Sequence, residues 1–382
     1  MPKKFISLVG LLLCTAPLLR AQAVMDDGSS SWVVRTAKKV FHLLTDPNPK
    51  LDTTCIYQMP LPWTAGLETA HITSTADLHT DVTESPLPGT TGATSEYGMD
   101  FNLQNHFCHK MGASFGYGGL SAGYGIEVGA RSEERNTYFS LGLSGDAYGI
   151  QVQNYVISDY IEKTGGPYGR SAVSGYPGCL RDFAVDAYYV FNNRRFAYSA
   201  VYKGQKIQRR SVGSWMLSGR YLQGDLQVDD RDAEFLEITD GLSRYKTDQV
   251  SLGGGYSLNW VLLHRDPVEW ATARGLRNLT LNLTALPMMS LYTDVDSYHN
   301  LAGRDPARTR NEGKLSIAFQ AHAALGFCWD RYSVNVQAHY NRFGFYGASQ
   351  NLWDRDRSLQ YDINTRAFFQ DLTAKVQFYV RF

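Results

Sequence analysis

The sequence predicts an all-β fold, a transmembrane antiparallel β-barrel, and three observations predict it. Apolar and polar residues alternate in many segments, and the last segment, 368–382, runs to the end of the chain. The polar positions of this alternation are occupied mainly by Asn, Gln, Ser, Thr and His, whereas the water-facing side of a sheet is usually rich in Lys and Glu. Beyond residue 23, no stretch approaches the roughly 18 consecutive apolar residues of a spanning helix.

Composition excludes two other classes of protein. The chain has 382 residues, and 37 Lys+Arg balance 37 Asp+Glu to a formal net charge of zero. A nucleic-acid binder needs a basic excess, so no nucleic-acid partner is expected. Disordered chains are poor in aromatic residues, whereas this one has 24 Tyr, 18 Phe and 7 Trp. Its 35 Gly indicate many turns and close backbone approaches.

The first 23 residues have the pattern of a secretory signal peptide, which predicts export through the Sec pathway. Lys3 and Lys4 precede the apolar stretch 5–19, and Ala21-Gln22-Ala23 supplies a small-x-small cleavage pattern. The next segment, 24–65, is predicted to be a periplasmic extension. Within it an amphipathic helix is indicated, either at the membrane surface or capping the barrel, by Val33, Ala37, Val40, Phe41 and Leu44.

The barrel is predicted over residues 66–382, with about twelve strands, and ten or fourteen remain open. The candidate strands are 66–82, 95–106, 112–130, 136–145, 149–158, 182–191, 211–228, 247–263, 277–293, 312–328, 331–347 and 364–382. Each has one apolar phase for the lipid and one polar phase for the interior. Gly253 and Gly255 fall in the inner phase, where small residues relieve crowding or mark bends.

The lengths of the connections predict which end of the barrel faces the periplasm and which faces outward, because such barrels have short periplasmic turns and long outer loops. The short connections are 107–111, 146–148 and 329–330. The long outer segments are 83–94, 159–181, 229–246, 294–311 and 348–363. Two further connections, 192–210 and 264–276, are longer than periplasmic turns should be, and the pattern offers no explanation for them.

The same phases predict which side chains line the interior. The lumen candidates are Asp100, Glu127, Asp186, His322, His339, Asp371, Lys375 and Arg381. Such charges either tune the selectivity of a water-filled lumen or pair with each other inside a closed barrel. Twelve strands are intermediate between the filled and the open cases, so both readings stay open. The two His are predicted to join a hydrogen-bond network rather than to bind a metal.

No catalytic constellation is found, so the protein is predicted not to be an enzyme, and no metal or cofactor is expected. None of the nine His is followed two residues later by Ser, as a strand-borne His–Ser pair would need. His106-Phe107-Cys108-His109 is predicted to be a turn. Four Cys follow residue 23, with no CxxC and three connectivities open: Cys55, Cys108, Cys179 and Cys328.

The end of the chain carries a recognisable signal. Val376, Phe378, Val380 and the terminal Phe382 alternate in a way that resembles the C-terminal signal read by the barrel-assembly machinery, which implies that machinery as a partner. More widely, the chain resembles a family of bacterial outer-membrane β-barrels known only as a domain of unknown function. The matching fragments, in order, are Leu51-Asp52-Thr53-Thr54, Pro60, Pro62, Trp63, Gly116-Tyr117-Gly118-Gly119-Leu120-Ser121, Tyr189-Val190-Phe191-Asn192 and Ser211-Val212-Gly213-Ser214.

These observations lead to an expected location and two expected functions. We expect the outer membrane of a Gram-negative bacterium, with outer-membrane lipids and lipopolysaccharide as surroundings. The first function is a channel or transporter for a small solute, suggested by the polar inner face. The alternative is a structural or adhesive surface barrel without an open pore, acting through its outer loops. The oligomeric state stays open.

Overall fold

The molecule is described from a computed structural model, which covers residues 51–105, 108–128, 136–145, 147–157, 161–167, 178–202, 205–228, 242–299, 307–312, 316–354 and 359–382. The predicted signal peptide and the predicted helix around 33–44 lie outside the described residues. Within the described residues, no helix is both long enough and apolar enough to cross a membrane.

Twelve antiparallel strands close into a barrel, and the closing pair joins the last strand to the first wall strand. In chain order the strands are β1 (Ile56–Gln58), β2 (Trp63–Pro86), β3 (Ser95–Asn105), β4 (Cys108–Tyr117), β5 (Leu120–Glu127), β6 (Thr137–Ser144), β7 (Tyr148–Ile157), β8 (Ile161–Pro167), β9 (Gly178–Val190), β10 (Lys206–Gln208), β11 (Val212–Val228), β12 (Leu242–Arg265), β13 (Arg277–His299), β14 (Ala307–Glu312), β15 (Ser316–Trp329), β16 (Tyr332–Asp354) and β17 (Leu359–Arg381). The predicted count of twelve is confirmed, since β3 and β4 pair successively along β2 and together form one wall strand.

One predicted turn is in the wrong place. The segment 107–111 was expected to be a turn, but β4 begins at Cys108 and runs on beside β2 to Tyr117. The chain reverses instead at Gly118, whose φ of 55° lies in the left-handed region that favours glycine. The alternation continues on both sides of this tight turn, which is why it is not visible as a break in the pattern.

The two ends of the barrel differ. Trp63, Phe382 and the short connections after β4, β6 and β15 lie at one end, named here the turn end; the opposite end is the loop end. Five strands have 23 or 24 residues, which is about twice what a tilted strand needs to span a membrane. Much of the sequence predicted as outer loop is therefore strand that extends the barrel at the loop end.

The polarity of the wall reverses along these long strands. Near the turn end the outward side chains are apolar, for example Trp215, Leu252 and Val376. Further along, the outward positions are charged, and Asp225 pairs there with Arg244. The inward positions change in the opposite sense, from polar to apolar. Alternation alone does not report this reversal, because it gives the two faces of a strand but not which of them faces inward.

Candidate functional site

The connection between β9 and β11 folds back into the barrel at the turn end. It contains a short helix, α1 (Ser199–Tyr202), which contacts β13, β15 and β16 on the far side of the lumen. It also contains β10, which pairs with β1 in a separate two-stranded sheet. We call the two segments 51–62 and 192–210 the plug. The plug accounts for the unexplained length of the 192–210 connection.

Asparagine side chains of the wall hold the plug by hydrogen bonds to its backbone. Asn259 Nδ2 donates to the carbonyl oxygen of Ala197 at 2.9 Å, and Asn278 Nδ2 to that of Gln208 at 2.8 Å. Asn335 Nδ2 donates to the carbonyl oxygen of Tyr202 at 3.1 Å. These bonds satisfy backbone groups that burial would otherwise leave unpaired. The inward asparagines thus have a structural task that the sequence pattern did not assign.

Apolar side chains of the plug complete its packing. Phe196, Val201 and Ile207 are at most 2% exposed. Phe196 lies in one cluster with Val190, Met216 and Leu286 of the wall, and Ile207 lies in a second cluster with Met59 and Leu276. The plug is therefore a folded part of the barrel interior. It obstructs the lumen at the turn end.

Two surface ion pairs stabilise the plug: one joins its two segments, and the other ties it to the connection 264–276. Arg195 Nε lies 3.0 Å from Asp52 Oδ2, and Arg209 Nη2 lies 2.6 Å from Asp266 Oδ2. Hydrogen bonds from Thr54, and then the Arg195 side chain, lower the pKa of Asp52. Burial opposes a lower pKa at Asp266, but hydrogen bonds from Arg209 and His264 outweigh it and lower that pKa. The second long connection, 264–276, thus has a role as a support for the plug.

Behind the plug lies a cavity of about 200 Å³, which we call the chamber. Its lining includes Tyr198 and Tyr202 of the plug. On one side the wall consists of small inward residues on β4 to β6, where larger side chains would fill the space. They are Gly112, Ser114, Gly123, Gly125 and Ser140. The opposite side carries polar and charged side chains of β15 to β17.

An ion pair and two amide side chains form a network on the polar side of the chamber. Lys375 Nζ lies 2.7 Å from Glu68 Oε2, across the seam that closes the barrel. Gln377 Nε2 donates to the same carboxylate oxygen at 2.6 Å and accepts at Oε1 from Gln337 Nε2, also at 2.6 Å. Lys375 and Glu68 are both largely buried, so each requires the other as a partner.

The two inward histidines adjoin this network. Their ring centroids are 4.7 Å apart. His339 Nε2 lies 3.0 Å from Gln337 Oε1, and His322 Nδ1 lies 2.9 Å from the hydroxyl of Tyr198. The pair therefore links the wall network to the plug, as a hydrogen-bond role requires.

Contacts across the lumen show how full the interior is at the chamber and toward the loop end. Gln320 of β15 donates to Asp186 of β9 at 3.0 Å, although three strands separate the two along the wall. Arg220 Nε lies 3.7 Å from the same carboxylate. Further toward the loop end, apolar side chains from eight wall strands form a cluster that we call the apolar layer. Its members are Ala76, Val82, Ala184, Leu222, Leu226, Tyr245, Met288, Val295, Ala318, Phe343, Ala367 and Phe369.

Seven of the eight predicted lumen residues lie inside the barrel, and one lies on its outer surface. Those placed inside are Glu127, Asp186, His322, His339, Asp371, Lys375 and Arg381. Asp371 accepts from Ser74 at 2.6 Å, and Arg381 contacts Cys328 and Ser333 beneath the plug. Asp100 differs from the prediction. It is 84% exposed and pairs with His79 on the outer surface, because its strand lies where the wall polarity is reversed.

Several site residues were not singled out from the sequence. Glu68 and Arg220 lie at inward-facing positions of predicted strands. Residues of opposite charge, Lys375 and Asp186, also lie at inward-facing positions, so the sequence offers a signal that these charges pair inside the barrel. Tyr198 and Tyr202 stood in a connection without a periodic pattern, where no such signal exists.

The cysteines and the histidine-rich segment carry no chemistry that the structure displays. Cys55, Cys108, Cys179 and Cys328 form no disulfide bond. Of the predicted turn around His106, the described residue His109 belongs to β4 and contacts Thr69 Oγ1 at 2.9 Å. The described residues contain no group of three or more metal-ligating side chains.

Known structures with similar folds come from outer-membrane proteins. The outer-membrane protease OmpT of Escherichia coli is 8% identical, with a TM-score of 0.35, over 85% of this chain and 98% of that one. A Pseudomonas aeruginosa FadL homologue is 11% identical, with a TM-score of 0.19, over 84% of this chain and 90% of that one. The P. putida toluene transporter TodX is 9% identical, with a TM-score of 0.20, over 82% and 90% respectively. Similarity at this level carries no information about activity.

No curated protein sequence matches the chain. A family profile does match it, over residues 90–352, and this profile is described as DUF4421, a domain of unknown function. Since the match spans more than half of the 382 residues, the chain belongs to the DUF4421 family.

Proposed function

We propose that this protein is an outer-membrane transporter for a small solute, closed at rest on both sides of its chamber. The observation that carries the proposal is the position of the chamber between the plug and the apolar layer. A cavity lined by titratable and hydrogen-bonding groups, with a barrier on each side, is the arrangement that an occluded solute site requires. A permanently open pore does not fit the side chains that meet across the lumen.

The two barriers differ in kind. The plug is backbone held by hydrogen bonds, each contributing about 0.5–1.5 kcal/mol, and it opens only by displacement. The apolar layer is made of side chains alone, and a hydrophobic constriction of this sort opens and closes as water enters and leaves. Passage therefore needs movement of the plug and wetting of the layer.

The outer surface supports placement in the outer membrane with the turn end toward the periplasm. Outward apolar residues, including Trp260, Leu283 and Phe378, form a belt near the turn end. Beyond the belt, Asp225 and Arg244 begin a charged surface that suits lipid head groups, including lipopolysaccharide. The terminal Phe382 at the turn end is where the proposed assembly signal would be read.

Flux measurements on the refolded protein in liposomes test the proposal. We expect slow, saturable flux of solutes that fit the chamber, and a severalfold increase when Asn259→Ala and Asn335→Ala weaken the plug. Replacing the outward-facing Trp260 by Phe serves as the control and should leave flux unchanged. Absence of flux in both wild type and plug variant would overturn the proposal.

A second function is favoured by one observation. The apolar layer is contiguous and resembles the core of a soluble protein, as a barrel without a pore would need. In that case the protein acts through its outer surface, and the plug variant carries no flux. No reaction is assigned to the barrel in either case.

A further inference from the structure

We propose that the chamber binds a small, neutral, polyhydroxylated solute of about the size of one sugar ring. This inference rests on the proposed transport function and names its substrate class. Four properties of the chamber lead to it: its volume, the pairing of its charges, its amide side chains and its tyrosines.

The volume sets the size of the ligand. The volume of the chamber is about 200 Å³. It is below the roughly 300–1,000 Å³ of pockets for drug-sized ligands. A chain of several sugar units or a lipid does not fit without displacement of the plug.

The charged side chains that line the chamber are engaged by other protein groups, so a charged ligand gains little from them. Lys110 is one of them: it is 3% exposed, and its Nζ donates to the carbonyl oxygens of Thr137 and Val156, both at 3.5 Å. Glu68 is bound by Lys375 at 2.7 Å, and Asp186 has Arg220 at 3.7 Å as well as Gln320. An ion that enters would lose its water without meeting an uncompensated counter-charge, and this desolvation is costly. The chamber therefore favours neutral solutes.

The polar side chains suit hydroxyl groups. Gln151 and Gln153 of β7 line one side, facing Gln320, Gln337 and His339. An amide side chain both donates and accepts hydrogen bonds, and so does a hydroxyl group, so the two match in any orientation. A solute with many hydroxyls recovers here the hydrogen bonds that it leaves in water.

Tyrosines supply the apolar surface that a ring sugar also needs. The rings of Tyr188 and Tyr198 are 4.7 Å apart in an edge-to-face arrangement, and Tyr202 lies 5.1 Å from Tyr198. All three line the chamber. Each combines an aromatic ring with a hydroxyl at its end, and this combination suits the C–H face and the hydroxyls of a ring sugar. Two of the three belong to the plug, so the ligand would contact the element that must move.

The test is equilibrium binding of radiolabelled D-glucose and myo-inositol to the refolded full-length protein, in a detergent that contains no sugar. Gluconate and glucosamine, an anion and a cation of similar size, are the comparison probes. We expect saturable binding of the two neutral compounds, at least tenfold tighter than that of the charged ones. Equal or tighter binding of a charged compound, or no binding of any of the four, would overturn the proposal.

Variants localise the binding. Ser140→Phe places a large ring inside the chamber and should abolish glucose binding, whereas Ala113→Phe adds the same ring on the exposed outer face of the neighbouring wall and should leave it intact. Wild-type glucose binding by Ser140→Phe would show that the ligand sits elsewhere. Binding is measured at rest, so it is independent of flux. Flux of another solute without sugar binding contradicts only the substrate class, and sugar binding without flux contradicts only transport.

Discussion

The hydroxyl of Tyr198 lies 2.9 Å from Nδ1 of His322, and this contact joins the plug to the barrel wall. The helix that follows Tyr198 contacts three strands on the far side of the lumen. One small element thus reaches across the barrel and separates the chamber from the turn end. Under the proposed transport function, the barrel opens at this element.

Tyr198→Phe removes the hydroxyl but keeps the ring. Loss of a hydrogen bond worth about 1 kcal/mol should raise the displaced fraction of the plug about fivefold. Amide hydrogen exchange across 195–202 reports this directly, and faster exchange is expected there. Tyr189→Phe is the matched control, because Tyr189 faces outward and is 42% exposed. Equal exchange rates in the two variants would show that the contact does not hold the plug.

Glu68→Gln leaves the largely buried Lys375 without its carboxylate partner. Breaking a buried pair typically costs about 3–5 kcal/mol, and the seam between β2 and β17 should be destabilised by that order. Urea unfolding of the refolded protein in vesicles measures the loss. Arg195→Met removes the surface pair with Asp52 and should cost under about 1 kcal/mol. The prediction fails if both substitutions cost the same.

Gly255→Ala tests the close approach of β12 and β13. A Cβ built at Gly255 would clash with the carbonyl oxygen of Ala285, which belongs to the backbone and has little room to move. Forced overpacking should lower the free energy of unfolding by about 1–3 kcal/mol. Gly98→Ala is the control, since its Cβ would come no closer than 3.8 Å to any atom. A stable Gly255→Ala protein would contradict the observed strand spacing.

Plug displacement should depend on pH through Lys206. Burial lowers the pKa of Lys206 to about 8 from its usual 10.5. The displaced plug exposes Lys206 and binds the proton more tightly, so the closed state gains stability as the pH rises from about 8 to about 10.5. Flux should fall across that window, by up to about tenfold per pH unit for one proton. Lys206→Met should abolish the pH dependence and lower flux at neutral pH; an unchanged pH profile would exclude Lys206 as its source.

How far the sequence predicts this molecule depends on which property is asked for. The alternation over 368–382 predicts correctly that this segment is a strand and which side chains lie on each of its faces. It can do so because a period of two is a property of the strand itself. Strand number follows from repeating that reasoning. Gly118 shows the limit, since a two-residue turn between alternating segments leaves the periodicity intact.

The interior was predictable only in part. The alternation predicts that Lys375 and His339 face the interior. It does not predict the position of Tyr198, because a loop that folds into a lumen has no periodic pattern in its sequence. Asp100 shows a second limit. Its phase was assigned by assuming that the apolar face meets lipid, and at the loop end the apolar face meets the apolar layer instead.

The most direct test of the central claim, that the plug holds the barrel closed, is planar-bilayer recording. The turns after β4 and β15 need only two residues, so 192–210 can be replaced by Asn-Gly. We predict that the wild type is electrically silent, that this variant shows brief openings, and that adding Phe369→Ala prolongs them by thinning the apolar layer, whereas adding the outward Phe368→Ala does not. Steady conductance in the wild type, or silence in all of these proteins, would contradict the account.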